Sequence, residues 1–208
     1  MDEAGLLPFE WAVAARPRRE GHESGDRYLV APIPGGALVA VIDGLGHGSE
    51  AAAAAEVAVR ALRQDPAAPL PSLVGRCHEA LRRTRGVAMT LAIVAFETAT
   101  LTWGGIGNVE GRLVRPAAPD RAEGPLLLGG VVGYRMPPLR LSVSRLSPGD
   151  LFILSTDGVV PHYVEGLVLG EGVQAMADRI LRVHGRDDDA LVLVARWAGI
   201  AEAGGADA

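Results

Sequence analysis

The chain has very little cysteine: Cys77 is the only one in 208 residues. One thiol makes no internal disulfide and too few ligands for a thiolate zinc site, so a reducing compartment, the cytoplasm, is expected. Cys77 lies in RCHEALRR, which has helical spacing, and reads as a small packing residue rather than a nucleophile. Aromatic residues are also scarce, at 4% against 49% hydrophobic, so the core has to be built from Val, Leu, Ile and Ala. No apolar run approaches the roughly 20 residues of a membrane span; GPLLLGGVVGY is short and interrupted by glycine. The N-terminal MDEAGLLPFEWAV lacks the basic start and apolar stretch of a signal peptide. There is no excess of basic residues either. Twenty Lys and Arg against 25 Asp and Glu leave a net charge of −5, which argues against a nucleic-acid partner. The densest basic group, RPRR from Arg16 to Arg19, reads as a solvated turn.

What is present is a series of short apolar segments. FEWAVAA, DRYLVAPI and ALVAVID read as strands, the last two joined by a Pro-Gly-Gly turn. Helix formers follow from Ser49 to Arg63, with Ser49 as the expected N-cap. After DPAAPLP, the spacing predicts a second helix over Ser72 to Arg83, burying Leu73, Val74, Cys77, Ala80 and Leu81. The period then changes. MTLAIVAFE, TLTWGGIG, EGRLVRP, LRLSVSRL (139–146) and LFILSTD read as strands, with Pro116 to Gly124 as a mobile loop. GEGVQAMADRILRVHG reads as an amphipathic helix, DDDALVLVARW as a final strand, and 199–208 as a disordered tail. Consecutive strands without regular βαβ alternation predict an α+β domain over residues 1–198, with about ten strands in two stacked, mainly antiparallel sheets flanked by helices.

The sharpest feature is a buried strand ending in Asp-Gly, which occurs twice: VAVIDGLGHG at Asp43 and LFILSTDGVV at Asp157. Asp26 opens a strand in ESGDRYLV, and Asp187 to Asp189 precede the last strand. A carboxylate at the end of a buried strand is costly to desolvate unless a cation compensates it. Oxygen ligands suit Mg²⁺ or Mn²⁺ rather than zinc. Two such ions roughly 3.5–4 Å apart can acidify a water between them and neutralise the phosphate it attacks. Asp-Gly alone merely makes a turn; two of them, joined by SGD and DDD, favour a metal site. Glycine after each Asp is expected to leave its carbonyl accessible.

In order, SGDRYLV, VAVIDGLGHGSEAA, TLTWGGIGNVEG, SPGDLFILSTDG and DDALVLVAR resemble the metal-dependent PP2C-type serine/threonine phosphatases, more narrowly their SpoIIE/RsbX branch. The resemblance runs from Phe9 to Trp197 and implies an αββα sandwich holding two Mn²⁺ or Mg²⁺ ions. It implies that Asp43 bridges the ions, Gly44 offers its carbonyl to one, Asp157 and Asp188 bind the other, and Asp26 acts through coordinated water. Asp189 is the alternative to Asp188. Where relatives commonly carry Thr after the acidic pair, this chain has Leu191, and no residue clearly matches the basic group that grips phosphate; Arg16 or Arg18 could substitute. GGVVGYRMPPLRL, GIGNVEG and the lack of an appended sensor segment are most similar to the RsbX type. That similarity implies a monomeric cytoplasmic phosphoprotein phosphatase acting on phosphorylated STAS-domain proteins of a stressosome-like module, with no membrane or nucleic acid involved. The rivals are a non-catalytic regulatory binder and a phosphatase of small metabolites. His47, between Gly46 and Gly48, is expected to fix the loop that presents Asp43 rather than to act as an acid. Asn108 is expected to hold a turn rather than touch substrate. His22, His78, His162 and His184 share no spacing and read as surface residues; Trp103 and Trp197 read as packing residues.

Overall fold

The computed structural model describes residues 7–199. The expected tail therefore lies outside the described residues, except for Gly199. The first three strands are β1 (Phe9–Arg16), β2 (Asp26–Ile33) and β3 (Gly36–Gly44). Pro34 presets the first turn position between β2 and β3, and Gly35 takes the positive φ, 68°, that the second requires. Two helices follow, α1 (Ser49–Arg63) and α2 (Leu70–Ala80). The remaining elements are β4 (Val87–Ala95), β5 (Thr100–Ile106), β6 (Glu110–Arg115), β7 (Ala118–Glu123), β8 (Leu127–Leu128), β9 (Ser142–Arg145), β10 (Leu151–Ser155), α3 (Val173–His184) and β11 (Ala190–Trp197).

The strands form two sheets. One has the order β1-β11-β10-β6-β7; the other runs β2-β3-β4-β5-β8, with β9 also paired to β5. Every pairing between these strands is antiparallel except β5 with β8.

Strand β3 shows why the core segments read as unbroken apolar runs. Ala37, Val39 and Val41 face the other sheet and pack with Phe152, Leu154, Leu191 and Trp197. The alternate residues Leu38, Ala40 and Ile42 face Ala54, Ala58, Leu62 and Leu73 of the helices. Side chains alternate across a strand, so a strand covered on both faces has no polar side. On the far side, Met176, Ala177 and Ile180 of α3 cover Ile153, Val192 and Val194. The layers are thus helix, sheet, sheet, helix, as the resemblance implies.

Local expectations change in four places. Ser49 is the first residue of α1 rather than its cap; Gly48, at φ 77°, occupies the cap position and no side chain caps the helix. Helix α2 begins at Leu70 and ends at Ala80, and Ala80 is exposed while Leu81 just beyond it is buried. The segment 116–124 is no loop: Ala118–Glu123 pairs with β6, and Glu123 binds the Arg115 guanidinium at 2.8 Å. The alternating stretch 139–146 shrinks to β9. Cys77 is fully buried, and burial pushes its thiol up to about 12, which removes it as a nucleophile. Trp103 and Trp197 are core residues. Of the histidines, His78 accepts the Gly133 N–H at 3.0 Å, His184 packs edge-on against Tyr163, and His22 and His162 are exposed.

Candidate metal centre

Antiparallel pairing gathers the acidic residues. The start of one strand lies beside the end of its neighbour, so Asp26 at the head of β2 is the cross-strand partner of Asp43 at the foot of β3. In the other sheet, the end of β10 runs into Asp157 beside Asp187 to Asp189, which lead into β11. Strands β3 and β10 lie inside their respective sheets and touch across the core. Each sheet therefore delivers one acidic pair to the same end of the sandwich. Asp26, Asp43, Asp157, Asp188 and Asp189 line one cleft of about 270 Å³, together with Arg18, Leu45, Gly46, His47 and Asn108.

The glycine after each aspartate has a different reason from the one expected. Neither Gly44 nor Gly158 has a positive φ. A Cβ at Gly44 would stand 2.1 Å from the Ala51 carbonyl oxygen, and one at Gly158 would stand 1.9 Å from that of Asp189. Each glycine lets a second stretch of backbone, the first turn of α1 in one case and the loop before β11 in the other, pass directly behind the cleft-lining carboxylate.

Polar bonds lock the two sheets together here. The Thr156 hydroxyl donates to Asp26 Oδ2 at 2.7 Å and accepts the Leu191 N–H at 2.9 Å. Asp189, 8% exposed, takes the Arg18 N–H on Oδ1 at 2.7 Å and the Gly25 N–H on Oδ2 at 2.8 Å. Both of its oxygens are thus committed to backbone, which makes it a tie for the loop between β1 and β2. Asp188 accepts only the neighbouring Asp189 N–H, at 2.9 Å, and keeps an oxygen for the cleft. The two alternatives the sequence left thus differ in what they offer the cleft: Asp188 has an oxygen without a backbone partner among the described residues, and Asp189 does not.

The electrostatics call for a cation. Burial pushes the Asp43 carboxyl up to about 8, reinforced by the charges of Asp26, Asp157, Asp188 and Asp189. Burial raises Asp26 to about 7, against the Thr156 hydrogen bond and with the other aspartates adding. Asp157 is raised by burial and by Asp188, while Arg186 and the Asn108 hydrogen bond oppose this. So many carboxylates crowded together are stable as anions only when positive charge joins them. No three His, Cys, Asp or Glu side chains among the described residues converge into a protein-only cage. An all-oxygen set of this kind fits ions that retain water ligands, as Mg²⁺ does.

The other sequence candidates separate. Arg18 reaches the cleft wall. Arg16 does not; its guanidinium donates to the Arg186 carbonyl and lies against Gly185. His47 is exposed on the rim and, among the described residues, makes no side-chain hydrogen bond, so the loop is shaped by Gly46 and Gly48 at φ 91° and 77° rather than by the imidazole. Asn108 does more than hold a turn: its amide donates to Asp157 Oδ2 at 2.7 Å and so orients that carboxylate. Thr156 escaped sequence reasoning, although its place immediately before a strand-end Asp was the available signal.

Residues 34–198 match the family model described as stage II sporulation protein E (SpoIIE). Phosphoserine phosphatase RsbX of Bacillus subtilis (strain 168) is 26% identical over 168 residues, covering 79% of this chain and 83% of that protein. A chain solved in work on "the bacterial stressosome: a modular system that has been adapted to control secondary messenger signaling" superposes with a TM-score of 0.81 at 30% identity, over 90% of this chain and 99% of that one. The crystal structure of RsbX in complex with magnesium superposes at 0.79, with 23% identity, 91% of this chain and 96% of that one.

Proposed function

The chain belongs to the SpoIIE family of PP2C-type phosphatases, and from that premise we propose that it removes phosphate from phosphoserine or phosphothreonine of a bacterial signalling protein. The observation that carries this reading is the convergence of Asp26, Asp43, Asp157 and Asp188, from both sheets, on one cleft. Asp43, Asp157 and Asp188 would hold two divalent cations, Mn²⁺ or Mg²⁺, with Gly44 offering a carbonyl beside Asp43. Asp26, fixed by the Thr156 hydroxyl, would act on the ions through their coordinated water. Bound there, the ions supply the charge that neutralises the phosphoryl oxygens and lowers the pKa of water. The protein's part is positional. Asn108 holds Asp157 in one orientation, Thr156 does the same for Asp26, and Asp189 holds the β1–β2 loop over the cleft. Among the described residues the cleft has no Ser or Cys, and with Asp43, Asp157 and Asp188 engaged in holding cations the reading is direct attack by water rather than a phosphoenzyme.

A phosphorylated STAS-domain protein of a stressosome-like module is the substrate we favour. The support is the likeness to RsbX and to the chain from the stressosome work. The test is release of phosphate from para-nitrophenyl phosphate and from a phosphoserine STAS protein, with Mn²⁺ or with EDTA. Mn²⁺-dependent release, abolished by EDTA and by Asp43→Asn, is expected. Equal rates in EDTA would sink the metal mechanism, and turnover of the small ester without the phosphoprotein would remove the STAS substrate.

A further inference from the structure

The acidic cleft has a basic neighbour. A second hollow, about 280 Å³, is lined by Arg18, Arg19, His22, Glu23, His47, Gly48 and Asp189. It shares Arg18, His47 and Asp189 with the metal cleft, so the two are continuous across one rim. On a chain of net charge −5 this gathering of two arginines and two histidines stands apart. Among the described residues, the side chains of Arg18 and Arg19 enter no ion pair with any carboxylate. Two acids line the hollow: among the described residues Glu23 enters no ion pair with Arg18 or Arg19, and Asp189 has both oxygens bonded to the backbone N–H groups of Arg18 and Gly25. The Asp189 carboxylate therefore anchors the loop, on which Arg18 and Arg19 are exposed. The loop is braced further by the Ser24 hydroxyl, which accepts the Asp26 N–H at 3.1 Å, and by a turn from the His22 N–H to the Arg19 carbonyl.

We propose that this basic rim is a subsite for an anionic side chain next to the phosphorylated residue, so that the enzyme selects phosphosites with acidic flanks. The inference rests on the phosphatase reading above. A phosphoserine set into the acidic cleft has to carry its peptide out over the rim. A flanking carboxylate then meets Arg18 and Arg19 and can accept hydrogen bonds from the His22 and His47 imidazoles. A flanking lysine meets like charge. Such contacts are exposed, so they confer selectivity rather than great affinity, and salt weakens them.

The experiment uses phosphoserine peptides that differ only in the neighbouring residue: Glu, Gln, Lys or a second phosphoserine. kcat/KM is measured with Mn²⁺, and affinity is measured separately by fluorescence anisotropy, which needs no turnover. The expected result is a preference for Glu over Lys on the order of tenfold, carried by KM and shrinking with added salt. The double variant Arg19→Glu/His22→Glu inverts it. Comparing Glu with the second phosphoserine shows which anion the subsite takes. Equal affinity for the Glu and Lys peptides overturns the proposal. So does a variant that weakens all peptides alike, because its residues would then serve the scissile phosphate or the loop fold. Absence of Mn²⁺-dependent turnover on every peptide counts against the phosphatase reading instead, and the anisotropy ranking still decides the subsite.

Discussion

The two Asp-Gly ends are nearly the same in sequence and differ in surroundings. Asp43 closes a strand buried on both faces and, among the described residues, has no hydrogen-bonding side chain beside it; burial holds its proton up to about 8. Asp157 closes an equally buried strand but is itself exposed, bonded to Asn108, and has Arg186 lowering its pKa against burial and Asp188. The motif sets where a carboxylate goes. Its neighbours set how strongly it wants a cation. Asp43 is therefore expected to depend on a bound cation for its charge more than Asp157 does.

The largest expected effect breaks the comparison at its centre. Asp43→Asn lowers phosphatase activity by roughly a hundredfold or more, and Asp157→Asn by a similar factor, with the larger fall in Mn²⁺ affinity at Asp43. Calorimetric titration and phosphate release check this; equal Mn²⁺ affinity in the two variants removes the asymmetry.

Next in size are the glycines. Gly44→Ala and Gly158→Ala each drive a Cβ into a backbone oxygen and are expected to cost about 1–3 kcal/mol or more of stability. Thermal melts decide it; unchanged melting in either variant would show that the backbone behind that carboxylate can give way.

Asn108→Ala sharpens the contrast from the other side. Freeing Asp157 is expected to reduce Mn²⁺ affinity about tenfold, while Asn108→Asp, which adds repulsion, lowers it further. An unaltered affinity in Asn108→Ala would mean that Asp157 is held by the strand end alone.

The smallest effect is on pH dependence without metal. Folded Asp26 and Asp43 keep their protons up to about 7 and about 8, whereas the unfolded chain loses them near 3.8. Between these values the folded state binds more protons, so this contribution is complete below about pH 4 and is lost as pH rises toward 8. In EDTA the melting temperature is expected to fall from about pH 5 to about pH 8. Asp43→Asn should flatten that slope. A melting temperature that rises over this interval contradicts it.

Much of this arrangement could be read beforehand, for physical reasons. Segments such as VAVID and LFILS are apolar throughout because both faces are covered, and strand ends carrying Asp need no tertiary information to be noticed. Antiparallel pairing then fixes which ends meet. What stayed hidden depends on contacts between distant parts of the chain. Thr156 matters because the other sheet brings Asp26 to it, and Asp189 differs from Asp188 only because Arg18 and Gly25 turn their N–H groups toward it. The 116–124 segment reads as a loop because its residues are poor strand formers; Arg115, paired with both Glu123 and Asp150, holds it as an edge strand.

The hydrogen bond from Thr156 to Asp26 has a mechanical meaning. It is a stitch between layers, placed at the cleft proposed to hold the ions. In the proposed centre, an ion held by Asp43 of one sheet and Asp157 and Asp188 of the other would add a second stitch, so its binding energy would also resist the prising apart of the sandwich. The metal-free chain should breathe at this end first, and amide exchange at Gly25 and Leu191 should slow when Mn²⁺ is added. Exchange there that ignores the metal would mean that the layers are already fastened without it.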